Sequence, residues 1–351
     1  MIEGDNILKI RDDAVIKLTK MGVNKYTIAE GQIPLWLNSS QQSSLLGLPE
    51  LRTGIEPWLT SLFQSEHLSV LTGNGLSTAI QFLATGKGNT VMSGEDINFV
   101  FKEQILEAAK KSSIKSGRGE KNIEDEIMVI NELIRGLEIL GYDTKQEKKD
   151  DYKNLCQGLA SLIKEFTNGI VKIEASVANA KSMERERAFG YLVSFLMSFA
   201  SRTGNRERLN IFTTNYDRLI EAGADLAGLH LLDRFVGTLA PIFRSSRLDI
   251  DMHYNPPGIR GEPRYLEGVA RFTKLHGSVD WIDVGTDIRR IGLPFGSTDI
   301  ENFLSAPGLG NADRRKVMIY PNSSKDRETA EYPYVELFRD FAAALCRPNS
   351  T

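Results

Sequence analysis

Cysteine is nearly missing from this chain. Cys156 and Cys346 are the only two in 351 residues, and no Cys-x-x-Cys pair exists. A structural zinc knuckle draws about four Cys/His ligands from close pairs, so zinc is not expected and no metal site is assigned. Two distant thiols also give no disulfide framework and fit a reducing, cytoplasmic setting. Long apolar runs are lacking as well. No stretch reaches the roughly 18 apolar residues of a membrane span, and the opening MIEGDNILKIRDDAVIKL has no signal-peptide core. The densest apolar run, FGYLVSFLMSFA (189–200), is short and reads as a buried helix. No charge sign dominates: 43 Lys+Arg stand against 46 Asp+Glu, a net charge of −3. RRKVMIYPNSSKDR (314–327) is the one basic stretch, without a stripe of interleaved aromatics, so nucleic acid is not an expected partner. Internal repeats and low-complexity segments are absent.

What is present is ordinary globular material, 41 % hydrophobic and 25 % charged, enough for a sizeable core. Residues 1–65 read as a mostly helical extension of short helices and loops. The strand-turn-helix order begins with SVLTGNGLSTAIQFL (69–83). From about 101 to 205 the pattern is helical. Ile123, Ile127, Ile130, Ile134 and Leu137 step by three and four, and Leu155, Leu159, Leu162 and Phe166 repeat the stripe. Charged, breaker-containing connections separate these helices. Strands alternate with helices again from about 207, in RLNIFTTNYDRLIEAGADLAG, RFTKLHGSVDWI and RRKVMIYPNSS, before the amphipathic YVELFRDFAAALCRP. The expected fold is therefore α/β: a doubly wound, Rossmann-like parallel sheet over 66–351, with an inserted helical subdomain.

Three segments place polar chemistry just past an apolar strand, where open α/β sheets hold ligands. In TGNGLS, Gly73 and Gly75 allow a sharp turn and close backbone approach, while Ser77 and the helix N–H groups would face an anion. The same glycines also serve a bare strand–helix turn. The dinucleotide fingerprint is incomplete, because its third glycine falls at Thr78 and its acidic residue near Glu95 or Asp96. In FTTNYD, Thr213, Thr214, Asn215, Tyr216 and Asp217 follow the strand. A helix cap would explain Asn215 or Asp217, but not five hydrogen-bonding side chains in a row. In KLHGSVDW, His276 could accept a proton near pH 7 or be a satisfied structural histidine. His67, His230 and His253 lack such a context.

Taken in order, GNGLS, TTNYD and LHG resemble the sirtuin-like NAD-binding family over roughly 66–100 and 205–351. The resemblance implies an extended NAD groove with NAD as substrate. It implies cofactor contacts from Gly73, Asn74, Gly75, Ser77, Thr213, Thr214, Asn215 and Asp217. It further implies Asn215, Asp217 and His276 as the catalytic group, with His276 as the base. Cleaving the nicotinamide–ribose bond builds oxocarbenium-like charge at the anomeric carbon; an amide could hold the ribose and orient water while His276 takes the proton.

Protein-deacylating members carry a four-cysteine zinc module after the His-Gly strand, and this interval has no cysteine until Cys346. That departure, with the helical stretch, resembles the bacterial sirtuin-like NADases of antiphage defence. The expected activity is NAD hydrolysis to nicotinamide and ADP-ribose. A homo-oligomer and a HerA-type ring ATPase are the partners this implies. The alternatives are an NAD-dependent protein deacylase and a non-catalytic NAD or ADP-ribose sensor. The sequence ends at LCRPNST, where the family continues into a closing strand and helix, so that strand is expected to be missing.

Overall fold

A computed structural model of the chain describes residues 6–8, 15–28, 36, 45–88, 99–115, 117, 119–144, 149–202, 207–246, 251–254, 264–304, 308–309 and 332–351. It divides into two compact units, 1–68 with 349–351, and 69–348.

The first unit joins a small antiparallel sheet to one helix, where short helices and loops were expected. β1 (Asn6–Leu8), β2 (Ile16–Gly22), β3 (Lys25–Ile28) and β4 (Leu46–Gly47) form one antiparallel sheet in that order. The signal lies in IKLTKMG, where Ile16 and Leu18 alternate with exposed neighbours at the two-residue period of a half-buried strand. The turn to β3 uses Asn24 at a φ of 54°, a left-handed conformation that asparagine tolerates. Helix α1 (Leu48–Phe63) comes next. Pro49 sits in its first turn, where a missing N–H costs nothing, and the Glu50 carboxylate accepts from the Gly47 N–H at 2.9 Å. Leu8, Ile16, Leu18, Leu46 and Leu51 form the core, with Trp36 and Trp58 packed on it.

The second unit is α/β. β5 (Ser69–Thr72) leads into α2 (Asn74–Thr85), and then into four more helices: α3 (Lys102–Lys115), α4 (Ile123–Ile139), α5 (Lys149–Ala178) and α6 (Ser182–Ala200). β6 (Leu209–Thr213), α7 (Leu219–Ala227), β7 (His230–Leu232), β8 (Phe235–Val236) and β9 (Ile242–Phe243) come next. Then come β10 (His253–Tyr254), β11 (Arg264–Tyr265), β12 (Val269–Lys274), β13 (Trp281–Asp283), β14 (Ile288–Arg290) and α8 (Tyr334–Leu345). The strand expected at 314–320 and the acidic positions 95 and 96 lie outside the described residues.

The main sheet is parallel, in the order β5–β6–β12–β7, and is flanked by helices. Its register matters most. Thr72 pairs with Thr213, and Thr213 with Lys274, so three carboxyl ends lie side by side. A second, antiparallel sheet runs β13–β14–β9–β8, and β10 pairs with β11. Phe212 of β6 meets Phe341 of α8 edge-on, centroids 5.0 Å apart.

The apolar stripes of α4 and α5 are buried as the spacing predicts: Ile127, Ile130, Leu155 and Leu162 are all 0 % exposed. Each such side chain stabilises the fold by about 1.5–3 kcal/mol. Their cluster is not confined to the helices, because it also takes in Tyr216, Val279, Ile282 and Ile291. The expectation for α6 needs correcting. It is a helix, but its fully buried stripe is Ala188, Leu192 and Leu196, and Tyr191 is 56 % exposed. A high apolar count over one short run hid this one-sided burial. No helix among the described residues is long and apolar enough to cross a membrane.

α7 lies close against α6 at Gly223. A Cβ built there would fall 2.7 Å from the Leu192 Cγ, at a side chain that is wholly buried. Gly223→Ala is expected to destabilise the fold by about 1–3 kcal/mol through overpacking. Urea unfolding checks this; an unchanged or raised midpoint would show that the α6–α7 contact has slack.

Candidate functional site

The site is assembled from the residues just past the carboxyl ends of β5, β6 and β12. The ladder continues one residue past the strands: Thr214 N–H donates to the Thr72 carbonyl at 3.1 Å, and Leu275 N–H to the Thr213 carbonyl at 2.8 Å. Gly73, Asn215 and His276 are thus carried to one edge of the sheet by backbone hydrogen bonds.

Gly73 is the N-cap of α2, in an extended conformation with no side-chain cap. Gly73 has no side chain to cap α2, and the Leu76 N–H is taken by the Gly73 carbonyl at 3.0 Å; a glycine at a helix N-terminus is an arrangement suited to receiving an anion. Neither Gly73 nor Gly75 has positive φ; what they provide is room. A Cβ on Gly73 would lie 3.4 Å from the Thr214 hydroxyl oxygen, and one on Gly75 would meet nothing within 4 Å. Packing among the described residues gives no reason for glycine at 75.

Asn215 is 6 % exposed and its amide is locked. Nδ2 donates to the Gly73 carbonyl at 3.0 Å and to Ser77 Oγ at 2.8 Å. A carbonyl can only accept, so the NH₂ end must face Gly73. Oδ1 is left turned away, with no hydrogen-bond donor to it among the described residues. The Ser77 hydroxyl donates in turn to Asp217 Oδ2 at 2.6 Å. Asp217 Oδ1 accepts from the Leu219 N–H, the first of α7, at 3.1 Å. Thr213 Oγ1 accepts from the Asn215 N–H at 3.1 Å. Ser77 and Thr213 are 3 % and 1 % exposed. Their hydroxyls serve this internal network, whereas Gly73 and Gly75 line the open end of α2.

His276 is half-buried. Its ring neighbours Tyr216, centroids 6.3 Å apart, and stacks with Phe338 of α8, at 6.5 Å and an interplanar angle of 28°. The adjacent Gly277 has a φ of 86°, a left-handed turn that glycine adopts without strain. This accounts for the glycine of the His-Gly pair.

Five side chains that sequence reasoning passed over hold the loop: Lys274, Ser278, Glu221, Arg218 and Glu174. The Tyr216 carbonyl accepts from the Val279 N–H at 2.9 Å, Ser278 Oγ at 3.3 Å and Lys274 Nζ at 3.4 Å. Lys274 Nζ also donates to the Asp217 carbonyl and to Glu221 Oε1 at 3.0 Å, with the side chain only 2 % exposed. Arg218 donates to Glu174 of α5 through its backbone N–H and its guanidinium, and to the Leu293 carbonyl. Burial pushes the Glu174 carboxyl up from its ordinary value and Arg218 pulls it back. Burial alone would lower Arg218, but the carboxylates of Glu174, Asp280 and Glu221 together outweigh it and Arg218 ends raised. A charged Lys274 closing an apolar strand was the one local signal. Glu174 has none, being one acid among several on a long helix.

A pocket beside Lys274 is lined by Asp233, Phe235, Phe243, Trp281, Arg290 and Leu337 among others, and none of the sequence-predicted site residues lines it. Among the described residues no group of three or more His, Cys, Asp or Glu is placed to hold a metal.

Arg218→Met should cost about 3–5 kcal/mol, because it strands a buried carboxylate. Adding Glu174→Leu should restore much of that loss. Denaturant unfolding of the single and double variants tests the pair, and additive losses would show that the two residues act independently.

No model of a known protein family matches the sequence, and no curated protein matches it significantly. What can be said of the site rests on its residues and their geometry.

Proposed function

We propose that the chain is an NAD hydrolase, cleaving NAD to nicotinamide and ADP-ribose. In this reading the parallel sheet is doubly wound and Rossmann-like, with α3–α6 inserted between its first two motifs. The observation that carries it is the locked Asn215 amide. Its NH₂ is used on Gly73 and Ser77, so Oδ1 is the atom it offers to a ligand. An acceptor there suits a ribose hydroxyl or a water. The glycine-capped N-terminus of α2, with space above Gly75 among the described residues, suits the pyrophosphate.

In the reaction, water oxygen bonds to the anomeric carbon as the carbon–nitrogen bond to nicotinamide breaks, and the bonding pair returns to the pyridine nitrogen. Asn215 Oδ1 accepts a hydrogen bond from the water or ribose, and a neutral His276 takes the proton released. Asp217 holds Ser77, which holds Asn215, so Asp217 positions the amide. The resemblance of the three motifs supports a role as an antiphage effector that depletes NAD. An off state, a homo-oligomer and a HerA-type ring ATPase partner belong to the same reading.

The test is nicotinamide release from NAD by purified protein, alone and with the product of the neighbouring gene. Asn215→Ala and His276→Ala should each lower turnover by about 100-fold or more; full turnover in both would sink the assignment. Gly75→Ala should separate stability from binding. It should stabilise α2 by up to about 1 kcal/mol, while raising KM as the methyl enters the ligand space. An unchanged KM would place the phosphates elsewhere.

A further inference from the structure

The carboxylates behind the site loop have different targets. Glu174 holds Arg218 and Glu221 holds Lys274. Glu124 holds a side chain that lies against the candidate base. It is the second residue of α4 and 1 % exposed. Its Oε1 accepts from the Tyr216 hydroxyl at 3.1 Å, and its Oε2 from Asn122 Nδ2 at 3.2 Å. A carboxylate in a first helical turn is favoured by the helix dipole, so this acceptor is well held. The Tyr216 ring stands edge-on to Phe166 of α5, centroids 5.6 Å apart at 80°, and lies tilted at 40° beside His276, centroids 6.3 Å apart. Phe338 stacks on His276 as well.

We infer that Glu124 is a positioning residue: by fixing the Tyr216 phenol it fixes the aromatic wall beside His276, and with it the direction of the imidazole nitrogens. The inference rests on the reading of His276 as the base. It gives the helices between β5 and β6 a part in the site, through one hydrogen bond across 92 residues of sequence. What matters is the acceptor rather than the charge, since Gln offers an oxygen to the same phenol.

The chain has four histidines, so with ¹³Cε1-histidine labelling the His276 signal is identified by its loss in His276→Ala. Glu124→Ala and Tyr216→Phe should each displace that signal and leave those of His67, His230 and His253 in place. The double variant should match the singles, and Glu124→Gln should return the signal toward its original position. In NAD cleavage, Glu124→Ala should lower kcat by about 10- to 100-fold with KM changed less than about threefold, and Glu124→Gln should recover most of it. An unmoved His276 signal in folded Glu124→Ala overturns the inference. So do additive effects of Glu124→Ala and Tyr216→Phe, which would mean that Glu124 acts independently of the phenol. If Glu124→Ala does not fold, the other two singles decide: Tyr216→Phe must move the signal and Glu124→Gln must not. A moved signal in a protein that never cleaves NAD removes the proposed reaction and leaves the positioning role. Cleavage with an indifferent His276 signal does the reverse.

Discussion

The arrangement of the site depends on one backbone oxygen. The Tyr216 carbonyl accepts from Val279, Ser278 and Lys274, and in doing so ties the loop after β6 to the loop after β12. Asn215 precedes that carbonyl by one residue, and His276 lies between two of its donors in sequence. An oxygen has only two lone pairs, and three donors around it leave little freedom for the peptide. The relative placement of the amide and the imidazole is therefore a property of the protein before any ligand arrives, which is the form of preorganisation that catalysis by positioning requires.

Around this oxygen the chain places buried charge, which folding tolerates only when it is paired. Lys274 donates to two carbonyls and one carboxylate; Arg218 donates to a carboxylate and to carbonyls beyond β14. A hydrophobic pair of the same volume would hold the loop as firmly in energy. It would not fix the direction of individual peptide groups, since apolar contacts are non-directional. Directional contacts converge on residues 216–218, and those residues flank the side chains to which chemistry is assigned.

Legibility in the sequence depends on the range of each signal. The parallel sheet, the strand-end position of Asn215, Asp217 and His276, and the stripes of α4 and α5 are local patterns, visible in a dozen residues or fewer. The first unit departs from expectation because its prolines and tryptophans suggest loops and short helices. The two-residue alternation of Ile16 and Leu18 is brief, and tertiary context decides it. The role of Ser77 is half legible. Its place after the glycines is clear, but its hydrogen bond to Asp217 joins residues 140 apart, and no local pattern encodes that. Glu124, Glu174 and Phe338 lie further beyond reach, each being a common residue on an ordinary helix face.

The same separations shape how the molecule comes into being. β5 pairs with β6 across the whole of α2–α6, and the Asn215 amide finds Gly73 and Ser77 only after that pairing. The loop that brings Ser278 and Val279 to the Tyr216 carbonyl is synthesised later still. A chain emerging from the ribosome carries its glycine turn, then its helices, then its amide, and none of these can act until β12 has docked. Contacts this distant form late in folding. Under the proposed reaction, which would consume a metabolite that its own cell needs, the order of synthesis would itself be a safeguard, since a partly made copy lacks the segments that complete the candidate site.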